Sequence, residues 1–556
     1  MSFDADVCIV GAGAGGAVAA WALTRQNLRV LLLEAGPRFD PSRYPTHHPG
    51  WENSLSPFQA VSTRPEHLSY ESGEREVLDP EFEHLASRSP TAFSRVPPRR
   101  RRPFYYSRAI GVGGSTLHYQ AEAHRFPAHA FRMRSERGVG ADWPLAYDDL
   151  APYYERIEHL IGVAGDPVNP FKPARGPFPY PAHPLSPASR VLADAARGLG
   201  WQALANPVAI LPRPLPGREA CHYCNGCTRG CAVRAKGSVD VAVIPEAERT
   251  GRLEIVTNFN ATTLEYDADG KISAVNGFDA EGREQRHPAR AFVLAAGAID
   301  TPRILLNSSG GAHPDGVGNQ HGQVGRHLME LLFVNRRALF DRPLETYAGI
   351  PIDSRIWDFN GAAGGAAGPA GFVLGQECDV FLGPVGYALE AVEGFGPSHR
   401  DAMRRHFGAA ISLLGIAEQL PRADNRVTLA EAKDRFGLPL ARVETALDRT
   451  DLESLSSMWE RLGEIAESGG LELIGQVTAY DTPNATHVGG TCRMGSDSRE
   501  SVVDAVGTVH GVPNLVIADA SVLVTQGAGD SPSLTIQALA LRSAEALAER
   551  ARRWEA

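Results

Sequence analysis

Val7-Cys8-Ile9-Val10-Gly11-Ala12-Gly13-Ala14-Gly15-Gly16 is a short apolar run that breaks directly into glycine. An alanine-rich stretch, Ala17 to Leu23, follows with helical character, and a second apolar run, Val30-Leu31-Leu32-Leu33, ends in Glu34. The order is strand, glycine turn, helix, strand, acid, and each part has a physical task. Gly11 permits the tight turn, Gly13 lets the backbone approach a pyrophosphate, and Gly16 lets helix and strand pack closely. The helix start at Ala14 offers unpaired N–H groups and a partial positive charge to phosphate. Glu34 stands where a carboxylate accepts hydrogen bonds from a ribose. The unit predicts a Rossmann-like dinucleotide site at the start of an α/β chain.

Composition narrows what surrounds that unit. A chain of 556 residues is long enough for two or more domains and a large core. Hydrophobic residues make up 43% and charged residues 22%, which is ordinary for a globular protein. The formal net charge of -10 argues against a general nucleic-acid binder. No apolar run is long enough to span a bilayer, and no basic, apolar leader precedes the first strand. The expected location is cytoplasmic, with export alongside a partner subunit left open.

The organisation outward from residue 34 is uneven. Residues 38–103 are rich in Pro, Ser, His and charge, without a sustained period; so long a connection reads as a lid, an oligomer contact or an excursion. It closes on Arg99-Arg100-Arg101-Arg102, read as a solvated charged turn with an anion or partner contact as the alternative. Gly111-Val112-Gly113-Gly114-Ser115-Thr116-Leu117-His118 forms another glycine turn, and a helix is expected from about Tyr153 to Ile161. Apolar runs around Asp269-Gly270 and Glu281-Gly282 predict a small β-meander. Phe292-Val293-Leu294-Ala295-Ala296-Gly297-Ala298 predicts a buried strand entering a turn, with Thr301-Pro302 opening the next helix. Strands are expected near 371–390 and 410–418, a charged helix over about Asp451 to Ser468, a strand at Asn514–Asp519, and a last helix from Ser533 to Arg553.

Five stretches, in order and along nearly the whole chain, resemble the glucose-methanol-choline (GMC) flavoenzymes. They are the Gly11–Glu34 unit, Gly111–Ser115, Ala296-Gly297-Ala298-Ile299-Asp300-Thr301-Pro302, His487-Val488-Gly489-Gly490-Thr491-Cys492-Arg493-Met494-Gly495, and Asp519-Ala520-Ser521 with Ser531-Pro532-Ser533-Leu534-Thr535. The resemblance implies a discontinuous Rossmann-like FAD-binding domain and a second, substrate-binding domain built on an antiparallel sheet. The parts fall at 1–160 (with 38–103 inserted), 221–334 and 481–556 for the FAD domain, 161–220 for a connecting segment, and 335–480 for the substrate domain. It implies FAD as cofactor, with Gly11, Gly13, Ala14, Gly16, Glu34, Gly113, Gly114, Ser115, His118, Ala296, Asp519, Ala520, Ser531 and Pro532 around it.

The resemblance also implies oxidation of an alcohol by hydride transfer to the flavin. The protein must then remove the hydroxyl proton and orient the C–H bond. His487 occupies the family's catalytic histidine position, and histidine titrates near working pH. The family usually adds a second His or Asn before the last helix. Here Ser531 stands at that position, or Asp530 if the alignment slips by one. This departure loads proton transfer onto His487; an inward-pointing Asp530 would orient it. The helix from Ser533 is expected to aim its positive end at the flavin's pyrimidine edge. His118 lies where the related pyranose oxidases attach FAD covalently, so covalent and packed roles are both open.

Cys221, Cys224, Cys227 and Cys231 carry a Cys-x2-Cys-x2-Cys-x3-Cys spacing, close to a bacterial ferredoxin run. Iron–sulfur, structural zinc and metal-free readings stay open. His222 within the run, and Cys8, Cys378 and Cys492 elsewhere, read as incidental or packed. Gly-Gly-Ser-Thr-x-His and Trp143-Pro144-x-x-Tyr147-Asp148-Asp149-Leu150 resemble the pyranose and gluconate branch, which points to a sugar or other alcohol as substrate. An electron-acceptor protein or small subunit is a candidate partner. The alternatives are a lyase or decarboxylase on the same fold, or an electron-transfer subunit.

Overall fold

The computed structural model describes residues 5–41, 92–96, 100–103, 105–106, 108–228, 230–361, 370–377, 388, 392, 394–474 and 484–554. Most of the 38–103 insertion, Arg99 and Cys378 lie outside them.

The first strand, Ala5–Val10, lies at the middle of a seven-stranded sheet. It pairs in parallel with Val30–Leu33 on one side and with the second half of Glu284–Leu294 on the other. Val30–Leu33 then pairs in parallel with Leu253–Val256, and Leu515–Ile517 joins Phe292–Leu294. Strands buried on both faces read as continuous apolar runs, and Val7, Cys8 and Ile9 have no solvent exposure. The expected meander is present as Asn260–Tyr266, Ile272–Phe278 and the first half of Glu284–Leu294, paired antiparallel. One long strand therefore belongs to the meander at its start and to the parallel sheet at its end. The sheet draws its strands from residues near 5, 290 and 515, so the parallel-sheet domain is discontinuous, as expected.

Helix Ala14–Arg25 packs on this sheet and against the last helix, Ser533–Ala551. Gly16 behaves as expected, since a Cβ there would fall 1.8 Å from the Gly11 carbonyl oxygen. Gly15 is as constrained, its Cβ site lying 1.7 Å from the Ala518 carbonyl oxygen.

The second sheet has six strands in the order Glu472–Ile474, Leu331–Leu339, Ala410–Glu418, Phe372–Glu377, Ser354–Ile356 and Ala203–Ala205. All neighbours are antiparallel. Helices Pro187–Gly198 and Arg449–Ser468 cover one face through Leu192, Leu455, Met458 and Leu462. The opposite face carries Phe333, Ile352, Leu414 and Ile416 toward the cavity described below.

Two local expectations change. The helix predicted from Tyr153 begins at Tyr147, because the Asp149 carboxylate accepts the Ala146 N–H at 2.8 Å and caps it early. Arg100–Pro103 is a strand rather than a turn, laddered antiparallel to Ala92–Val96, which in turn joins Pro439–Ala446. Among the described residues, no helix is long and apolar enough to cross a membrane.

Candidate active site

A cavity of about 570 Å³ opens between the two sheets. At one end lie the glycine turns. Gly11 takes φ +98°, which L side chains resist, and donates its N–H to Leu33 O at 2.7 Å. Gly113 donates to Ala12 O at 3.0 Å, and a Cβ on Gly114 would fall 2.7 Å from Gly13 Cα, so the two turns interlock. Gly13, Ala14 and Gly15 line the cavity at the start of their helix, which has no side-chain cap and no acid in its first turn. The helix start at Ser533 also lines it and also lacks a side-chain cap. Two uncapped helix N-termini facing one glycine-walled cavity fit a dinucleotide's pyrophosphate and an electron-rich ring edge.

The remaining expected cofactor residues divide by what they touch. Ser115, His118, Ala296, Ala520, Ser531 and Pro532 line the cavity. Glu34 lines it too, yet its carboxylate already accepts the Ala12 N–H at 2.8 Å and the Gly36 N–H at 3.0 Å, bracing the turn from beneath. Burial raises its pKa. Asp519 accepts from Gly297 N at 2.9 Å, Thr301 Oγ1 at 2.5 Å and Ser521 N at 2.8 Å, tying the loop after one strand to the helix after another. His118 Nδ1 lies 2.6 Å from Thr228 O.

His487 is half-buried on the cavity wall. Its ring stacks on Phe333 with centroids 5.6 Å apart, and Nδ1 lies 3.1 Å from Thr486 Oγ1. Gln526 Nε2 donates to its carbonyl at 2.6 Å. Burial lowers its pKa to about 4, with Arg355 and His124 reinforcing and Glu122 opposing. The imidazole is therefore neutral at pH 7 and able to accept a proton.

Ser531 and Asp530, the alternatives for one position, separate. Ser531 lines the cavity, its N–H donating to His124 Nδ1 at 3.1 Å. Asp530 turns away from His487 and lies fully buried behind the wall. It pairs with Lys172, accepts Trp357 Nε1–H at 3.1 Å, and stands 3.3 Å from His124 Nδ1. Orientation of His487 by Asp530 is thus not what the structure shows. Burial pushes Asp530 up, but Lys172 and His124 outweigh it and hold it at about 2.

Sequence reasoning missed the group between these residues. Glu122 lines the cavity and accepts Arg355 Nε–H at 2.8 Å and Asn206 Nδ2–H at 2.8 Å. Burial pushes its carboxyl up, but Arg355, His124 and Asn206 hold it below the usual carboxylate range. Gln120 also lines the cavity and reaches the Glu377 carboxylate. One signal was present: Gln120, Glu122 and His124 alternate with alanine directly after the second glycine turn.

The cysteine run, whose spacing left iron–sulfur, zinc and metal-free readings open, is seen here without a metal group. Among the described residues, no three Cys, His, Asp or Glu side chains converge on a metal position. Cys221, Cys224, Cys227 and Cys231 are free, and burial raises the first three thiols, Cys221 to about 11. The loop is instead held by buried Lys236, which donates to Cys227 O at 2.5 Å and to Leu117 O at 2.8 Å. As placed, the four cysteines do not form a cluster or zinc site.

Family models described as GMC oxidoreductase match residues 5–330 and 421–540. The chain belongs to the GMC oxidoreductase family. It is 30% identical over 560 residues to the fructose dehydrogenase large subunit of Gluconobacter japonicus, covering 98% of both chains. It is 31% identical over 554 residues to 6'''-hydroxyparomomycin C oxidase of Streptomyces lividus, covering 98% of this chain and 91% of the relative. Among solved structures, pyridoxine 4-oxidase from Mesorbium loti aligns with TM-score 0.62 at 18% identity over 98% of this chain and 99% of that one. A formate oxidase of Aspergillus oryzae aligns with TM-score 0.67 at 16% identity over 99% of each. These structures share the fold. The family supports FAD as the cofactor, and the glycine-walled end of the cavity fits its dinucleotide part.

Proposed function

We propose that this GMC oxidoreductase converts the CH–OH group of a sugar, glycoside or other alcohol to a carbonyl, with His487 as general base. The observation that carries the reading is the place of the His487 imidazole, on the wall shared by the glycine turns and the antiparallel sheet. The relatives support it, being named for fructose, 6'''-hydroxyparomomycin C and, at 30% identity in Mycolicibacterium austroafricanum, 2-methyl-1,2-propanediol.

Bound FAD supplies the two-electron acceptor for the hydride that leaves the carbinol carbon. His487 takes the hydroxyl proton at Nε2, in the tautomer whose Nδ1–H donates to Thr486 Oγ1. Phe333 keeps the ring in plane for that transfer. The Ser531 hydroxyl, on the same wall, hydrogen-bonds the substrate oxygen and does not serve as base. Glu122, the group that raises the pKa of His487, favours the imidazolium as it forms.

His118 lines the FAD end, and we read it as packing against the cofactor or bonded to it; flavin colour retained after acid precipitation marks the bond. An electron-accepting protein or small subunit is the proposed partner, supported by the words "large subunit" in the fructose dehydrogenase relative. The test is anaerobic mixing of the purified flavoprotein with a panel of alcohols. Bleaching of the flavin is expected, and a flavin that no alcohol reduces overturns the reading.

A further inference from the structure

Arg355 is the most unusual charge in the substrate half of the cavity. It lies inside the strand Ser354–Ile356, fully buried, and lines the cavity. Its Nε donates to Glu122 Oε1 and its Nη2 lies 2.8 Å from the same oxygen, while Nη1, among the described residues, makes no hydrogen bond. A buried donor left unmade is costly, and most so when charged. Space for the group is built in. Gly375 is the cross-strand partner of Arg355, and a Cβ there would fall 2.9 Å from Nη1. Asn335 stands in the same register row, linked through Leu414, and lines the cavity with Oδ1 unpartnered among the described residues.

The donors and acceptors define a ligand. The guanidinium's charge is already matched by Glu122, which takes both Nε and Nη2. A carboxylate substrate would find its charge unmatched by that pair. A neutral polyol needs only the remaining donor, Nη1. One hydroxyl oxygen accepts from the guanidinium, while hydroxyl protons go to Glu122 and Asn335. We propose that Arg355, held by Glu122 over Gly375, is the substrate anchor and that it reads a neutral hydroxyl adjacent to the carbinol being oxidised, a vicinal diol. This rests on the alcohol-oxidising reading above.

The test uses the FAD-loaded protein, mixed anaerobically with propan-1-ol, propane-1,2-diol and 3-hydroxypropanoate, which are matched in carbon number. The diol is expected to exceed both others in kcat/KM for flavin bleaching by about tenfold or more. R355K keeps the charge beside Glu122 and loses the fork, so the diol's advantage should fall by about ten- to a hundredfold, mainly in KM. G375A keeps the arginine but displaces it, and should act in the same direction. If R355K does not retain FAD, the wild-type series and G375A decide. A hydroxy acid preferred over the diol, or variants that slow all three substrates equally, overturns the anchor.

Binding separates the two readings. Erythritol added to the oxidised protein under nitrogen should perturb the flavin spectrum in the wild type and not in R355K. If that holds while no alcohol bleaches the flavin, the anchor stands and the proposed oxidation falls. If alcohols bleach it without a diol preference, the oxidation stands and the anchor falls.

Discussion

Replacing Lys172 by Met should destabilise the protein strongly and in a pH-dependent way. Asp530 has no solvent exposure and is held at about 2 against an ordinary 3.8. At about 1.4 kcal/mol per pH unit, that difference is roughly 2.5 kcal/mol. Once the ammonium is gone, burial acts with less opposition and the carboxyl rises, so the full loss should approach ~3–5 kcal/mol. The sign with pH follows. In the wild type the folded pKa is depressed, so the contribution is complete above 3.8 and is lost only as pH falls toward about 2. Between pH 7.5 and 5.5 this group leaves wild-type stability unchanged. In K172M the folded pKa is raised, so the variant should gain stability over that same fall in pH. Asp530 directly precedes Ser531 and Pro532, so K172M should also release FAD more readily. The assay is urea unfolding of the FAD-loaded protein by far-UV circular dichroism, comparing midpoints, since a two-domain holoprotein need not unfold in one step. The double variant K172M/D530N should recover more than half of the lost midpoint. Equal midpoints for wild type and K172M at pH 7.5, or a double variant no better than the single, would refute the reasoning.

Other outcomes follow from the same geometry. H487A should bind FAD normally and reduce it about 10²- to 10⁴-fold more slowly with any alcohol; loss of FAD instead of rate would assign the residue a structural task. The acid limb of kcat/KM should fall near pH 4, because His487 must be neutral and is protonated only below that value; a limb at 6.5 contradicts the burial argument. G15A should yield no folded flavoprotein, since its methyl would meet Ala518 O at 1.7 Å; soluble, yellow G15A protein counts against the packing described. Iron and zinc analysis of the purified protein should return far less than one atom per chain, and stoichiometric metal would show that the cysteine loop rearranges.

Residues 5–34 determined their own fold. The strands, turn and helix follow one another along the chain, and the order of apolar and glycine positions states them directly, although their partners lie near 255, 290 and 540. The discontinuous parallel sheet and the placing of the glycine turns and His487 on one cavity were likewise legible, because each rests on a short motif whose residues act together. The cysteine run shows the limit of that logic. Ligand spacing lies along the chain, but convergence depends on how the loop packs, and here Lys236 holds Cys227 by its carbonyl. Asp530 shows the same limit, since its direction is set by Lys172 and Trp357, far away in sequence. Glu122 and Arg355 are 233 residues apart, and neither carries a local pattern that names the other. Only the tertiary fold, which sets Glu122 beside Val208 and Arg355 beside Leu204, brings them together and excludes water, and that exclusion strengthens the pair far beyond one on an open surface.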